Sequence, residues 1–197
     1  MKSMAEVTLA LKKIWPRCAK AASFVVAASV LAIAQSSPQV HLSQIHLPQI
    51  QLPEVHLDAA GLVPRPIEEL TGTTIARHYA LAWRDLVGAL GSSRAEGIGE
   101  EFVGFARDRL IQRIAEQKQA GVHVRIVDHG HQLKAVFYST DGTAMQLLDQ
   151  AQLEIQTFDG NKLLDTQNAL HQYMVLMTPG ADRWYVRDLE EVCAKPF

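Results

Sequence analysis

The stretch MQLLDQAQLEIQTF, residues 145–158, decides the fold. Met145, Leu147, Ala151, Leu153 and Ile155 fall on one parity, and Gln146, Gln150, Gln152, Glu154 and Gln156 on the other. Successive side chains of a strand point to opposite faces, so this is an antiparallel strand packed on one side and wet on the other. Working outward, Asp141-Gly142 before it and Asp159-Gly160 after it read as turns. LLDTQNALHQYMVLM (163–177) reads as a long neighbouring strand, Pro179-Gly180 turns it, and RWYVRDLEEV (183–192) closes the sheet. Upstream, VHVRIV (122–127) and LKAVFY (133–138) flank His129-Gly130-His131, which predicts a hairpin turn.

Ahead of the sheet the period becomes helical. Ile75, Tyr79, Ala82, Leu86 and Leu90 predict one helix that starts at Thr73 and Thr74 and stops at Gly91. A second starts near Gly99 and ends at Gly121, with Phe102, Phe105, Leu110 and Ile114 apolar and Arg107, Arg109, Arg113 and Lys118 basic. Trp83 reads as core. The expected fold class is α+β: two helices packed on a curved, cone-like antiparallel sheet over residues 66–197, preceded by an apolar helix and an extended linker.

The 197 residues carry a net charge of −2, which forces no basic surface and argues against nucleic acid as the main partner, so none is expected. The charge is uneven. Residues 1–20 form a basic amphipathic segment holding Lys2, Lys12, Lys13, Arg17 and Lys20 against Glu6. AASFVVAASVLAIA (21–34) follows without a charge. It reads as a membrane anchor, with Trp15 at the interface, or as a signal peptide with an A-x-A site ending at Ala34. A buried helix of a cytosolic protein is the third reading. The first two leave the basic end in the cytoplasm and carry residue 35 onward across the membrane. The expected location is the inner membrane with an extracytoplasmic domain, or export after cleavage. Cys18 and Cys193 flank the apolar segment, so a bond between them within one chain is not expected.

Residues 35–65 are an extended linker built on QVHLSQIHLPQIQLPEVHLD (39–58), four copies of one pentad. Pro48 and Pro53 block a continuous helix or central strand. Val40 and Leu42, Ile45 and Leu47, Ile50 and Leu52, Val55 and Leu57 each sit two apart on one face of an extended chain. A plain spacer is one reading. A solvated linker should be poor in apolar residues, so these eight are also read as a partner-docking strip. Five extended residues span roughly 16–17 Å, so no two of His41, His46 and His56 share a metal. Separate metal or pigment sites on these histidines remain the minor reading.

Two helices, a hairpin and long strands ending in ADRWYVRDLEEV resemble the nuclear-transport-factor-2-like superfamily over about residues 70–192. The resemblance implies a cone-shaped sheet. Its small ligand-binding enzymes usually carry a helix between the second and third strands, where residues 143–148 leave room for a turn. That departure favours the membrane-tethered, protein-binding branch. The cystatin fold is the nearest alternative.

No catalytic residue, metal site or cofactor is assigned. Asp149 lies on the apolar parity of its strand, and His171 and Tyr173 share a face of the next, which makes these three the candidate pocket residues. The plainer account starts the regular strand after Asp149 and makes the other two packing residues. Asp128, His129, His131 and His123 cluster near the hairpin, but alternate residues should face opposite ways. The expected function is an accessory or scaffold subunit that binds the membrane through its amino-terminal segment, holds partner proteins in a membrane complex, and forms a homo-oligomer through the open sheet face. The alternative is a ligand-binding or isomerase-like enzyme using the cone.

Overall fold

The computed structural model describes residues 52–192. The expectations for residues 1–34, for Val40, Leu42, Ile45, Leu47 and Ile50, and for the two cysteines lie outside them.

The elements run β1 (Val55–Asp58), α1 (Glu69–Ser92), α2 (Ile98–Glu101), α3 (Gly104–Ala120), β2 (Val122–Tyr138), β3 (Met145–Asp159), β4 (Lys162–Pro179) and β5 (Trp184–Glu191). The strands form one sheet in the order β1-β2-β3-β4-β5. The last four pair antiparallel, and β1 pairs parallel with β2. The architecture is α+β, with a mixed sheet rather than a purely antiparallel one and three helices rather than two.

The alternation in β3 holds as read. Met145, Leu147, Ala151, Leu153 and Ile155 are buried, facing the helices. The strand does not start after Asp149; it runs through it, and Asp149 pairs with Leu133 on one side and Tyr173 on the other.

Helix α1 starts four residues before Thr73. Glu69 sits in its first turn, where a negative charge is favoured, and the Thr73 and Thr74 hydroxyls donate to the carbonyls of Glu69 and Leu70 instead of capping. Ile75, Tyr79, Ala82, Trp83, Leu86 and Leu90 line its buried face. It ends at Ser93 in the left-handed region, not at Gly91. Phe102 is buried after the single turn of α2, while Phe105, expected on the apolar side, is 69% exposed. In α3 the inward row is Ala106, Leu110, Ile114 and Gln117. The Gln117 amide donates to the Leu90 carbonyl at 2.7 Å and to Ser93 Oγ at 2.8 Å. The Leu90 carbonyl also accepts from the Ser93 amide at 3.3 Å, so Gln117 adds a second donor there and ties α3 to the end of α1.

The predicted hairpin at His129-Gly130-His131 is absent. Residues 122–138 form one strand with a β-bulge between Asp128 and His131, which pair with Leu153 and Ala151. The glycine marks a kink within a strand, not a reversal. Gly130 has φ +114, and a Cβ there would stand 3.3 Å from the Glu54 carbonyl oxygen. Glycine therefore allows both the bulge and the close approach of β1.

Candidate functional site

The bulge places chemistry in the core. On one side of it Val122, Val124, Ile126 and Asp128 face the helices; on the other His131, Leu133 and Ala135 do. One extra residue flips the parity, so Asp128 and His131 face the same way although three apart in sequence. His131 Nδ1 lies 2.8 Å from Asp149 Oδ2, and Nε2 lies 2.9 Å from Asp128 Oδ2. Carboxylates only accept, so both ring nitrogens donate and the ring is an imidazolium. Burial by itself would lower the pKa of His131. The hydrogen bonds and charges of Asp128 and Asp149 win, and it rises to about 9.

Asp149 Oδ2 also accepts the Tyr79 hydroxyl at 2.8 Å. Burial, then the Asp149 charge, pushes the Tyr79 phenol well above its ordinary range. Trp83 lies against the His131 ring at 4.5 Å between centroids, and Tyr79 meets that ring edge-on at 5.6 Å. Helix α1 thus supplies a lid of two aromatics one turn apart, and β2 and β3 supply the charges. Asp149 is 0% exposed, and its Oδ1 has no hydrogen-bond partner. This carboxylate is closed to solvent.

Asp149 and Tyr173 are register partners across β3 and β4, and His171 pairs with Ala151. The three candidate pocket residues therefore share the inner face, but they do not line one cavity. His171 Nδ1 lies 2.8 Å from Glu191 Oε1. Tyr173 instead lines a pocket of about 230 Å3 beneath α3, with Leu110, Arg113, Leu189 and Glu191. Its hydroxyl is buried without a hydrogen-bond partner, and burial, then the Glu191 charge, pushes its phenol well up. Arg113 leans into this pocket rather than joining the exposed basic face, and burial lowers its pKa. Arg109 stays at the rim, 2.8 Å from Asp188.

The docking-strip residues within the described part divide. Leu52 is exposed, whereas Val55 and Leu57 lie in β1 and pack against the domain's own core. His123 is stacked on Phe158 away from the network, and His129 is exposed. Among the described residues no group of three His, Cys, Asp or Glu converges on a metal position. Asp128 and Asp149 grip opposite nitrogens of one ring, which holds their carboxylates apart. No described helix is long and apolar enough to cross a membrane.

A second buried contact escaped sequence reading. Glu101 on α2 lies 3.1 Å from His78 Nδ1 on α1 and 3.7 Å from Arg183. Burial raises its pKa against both. No periodicity marks Glu101, because α2 is a single turn.

No family model and no curated protein sequence matches the chain. Solved structures do. The intermembrane-space region of the chloroplast protein ARC6 superposes with TM-score 0.52 at 16% identity, over 66% of this chain and 98% of that one. A protein from Catenulispora acidiphila in complex with S-DNPA superposes with TM-score 0.43 at 14% identity, over 63% and 93%. A second structure from that organism gives TM-score 0.40 at 15% identity, over 60% and 89%. At 16% identity the likeness to the ARC6 region is one of fold: a small α+β domain.

Proposed function

We propose that this chain is a membrane-tethered or exported accessory subunit, and that its α+β domain is a nuclear-transport-factor-2-like cone that binds partner proteins. The observation that carries this reading is the closed Asp128–His131–Asp149 network beneath α1. Its centre, His131 with Asp149, is fully buried beneath Tyr79 and Trp83, with Asp128 at the edge. An enzyme of this shape needs its charged groups open to a substrate cavity. Here they hold the sheet to α1. The likeness to an intermembrane-space region supports a domain that works beside a membrane.

The outer sheet face suits a partner. Phe137, Gln146, Met174 and Leu176 line a shallow groove of about 370 Å3 with Asp188 and Glu190 at its border. Phe137 is 43% exposed and Leu170, on the same strand as Met174, 56%. Exposed apolar side chains set among polar ones on one sheet face are the anatomy of a protein contact. A second copy of the chain is one occupant this face admits. The basic amino-terminal segment and residues 21–34 supply the membrane contact, with the domain on the extracytoplasmic side, or free after cleavage following Ala34.

The test is Phe137→Glu with Leu170→Glu in the full chain, followed by purification from native membranes. Retained folding with lost companion chains supports the proposal. Unchanged companions exclude this face.

One observation favours a second reading. The pocket beneath α3 carries the unpaired Tyr173 hydroxyl and the unpaired Glu191 Oε2, both buried. A small ligand that donates hydrogen bonds would satisfy them.

A further inference from the structure

We infer that the pentads of residues 39–53 are alternative occupants of the β2 edge that Val55–Asp58 fills, so that the linker attaches to the domain in registers five residues apart. The seated strand is the fourth pentad, EVHLD. It pairs Val55 with His131, His56 with Gln132, Leu57 with Leu133 and Asp58 with Lys134.

What holds this strand is what all four units share. The His131 amide donates to the Glu54 carbonyl at 2.9 Å, a backbone contact that Gln39, Gln44 and Gln49 offer equally. Val55 and Leu57 pack on the core, with Leu57 against Gly72 of α1. Every unit places Val or Ile, then Leu, at those two positions. The side chains that differ between units point away: Glu54, His56 and Asp58 are exposed. On the receiving strand Gly130 admits the incoming backbone whichever unit brings it.

The third unit is the nearest match. Pro48 precedes Gln49 as Pro53 precedes Glu54, and Ile50 and Leu52 take the places of Val55 and Leu57. Its last residue, Pro53, has no N–H to give a ladder. Asp58, by contrast, accepts from the Ala60 amide at 2.9 Å and starts the turn toward α1. The fourth unit is therefore the majority occupant, and the third the first alternative. Seating the third releases residues 54–58 into the connection to α1, and closing a slightly longer loop adds little entropic cost. Each step shortens the free linker by one extended unit, about 16–17 Å. The repeat is then an adjustable tether between the amino-terminal segment and the domain.

The test is disulfide trapping in the full chain with Cys18→Ser and Cys193→Ser. His56→Cys with Gln132→Cys reports the seated register, since both positions are exposed and border one cleft. Gln51→Cys with Gln132→Cys reports the shifted one. In the shifted register Gln49 would take the place of Glu54, two residues out of phase with Gln132, so Gln49→Cys with Gln132→Cys would exceed the roughly 7 Å a disulfide spans. The expected result is bridging within one chain by the first pair, bridging about 10- to 100-fold slower by the second, and none by the third. A second pair that forms no bridge, bridges only between two chains, or bridges no faster than the third overturns the inference.

Discussion

Asp128 and His131 face the same side of the sheet because one extra residue sits between them. Without that bulge His131 would point to solvent, Asp149 would be a lone buried carboxylate, and Tyr79 would be its only donor. A buried charge without a partner is expensive, so bulge, histidine and aspartates stand or fall together.

Asp149→Asn keeps the shape of the network and removes one charge from it. Breaking a buried pair by removing one partner costs roughly 3–5 kcal/mol. Urea unfolding of the variant should show a loss of that order, and a loss below about 1 kcal/mol would mean the bond to His131 contributes little.

His131 sets a pH dependence. Its pKa is about 9 in the folded chain against 6.5 for the free group. The folded state therefore binds the extra proton, so this contribution is complete below about pH 6.5 and is lost as the pH rises through about 9. Its full size is of the order of a few kcal/mol. Unfolding midpoints measured from pH 6 to 9.5 should fall with pH in the parent chain. In His131→Gln that slope should flatten. Equal slopes would place the titration elsewhere.

Gly130→Ala forces a side chain into positive φ and against the Glu54 carbonyl. The strain is roughly 1–3 kcal/mol. Hydrogen exchange should show the His131 amide losing protection before the rest of β2. Uniform loss along the strand would mean that β1 is not what yields.

Gln117→Leu keeps the volume and drops the bonds to the Leu90 carbonyl and Ser93. The Leu90 carbonyl keeps its bond from the Ser93 amide, so the loss is that of two hydrogen bonds, roughly 1–3 kcal/mol together. Arg107→Glu, on the exposed side of the same helix, should move stability by no more than about 0.5 kcal/mol. Chemical denaturation of the two, side by side, separates the inner face of α3 from its surface.

Strands β3, β4 and β5 were legible because their inward rows are mostly apolar at period two, as in Met145 to Ile155. The inner face of α1 was legible for the same kind of reason at period 3.6. The bulge was not. His-Gly-His between two strand-like runs carries the same signal as a hairpin, and only the register against Leu153 and Ala151 tells them apart. Asp149 stood out on the wrong parity, but its partners lie 18 and 70 residues away, and no local pattern names them. Thr73 and Thr74 look like caps, yet their hydroxyls serve the helix interior. The pentad's fourth unit looked like linker because a four-residue edge strand has too few alternations to mark it. Its partner strand, not its own sequence, makes it part of the sheet.

The central proposal is that this domain holds partner proteins. The most direct test is the native mass of the assembly taken from its own membranes in mild detergent, together with the intact mass of each chain. The account predicts companion chains beside a subunit of 21.8 kDa. A lone monomer carrying a small molecule in the pocket beneath α3 would contradict it.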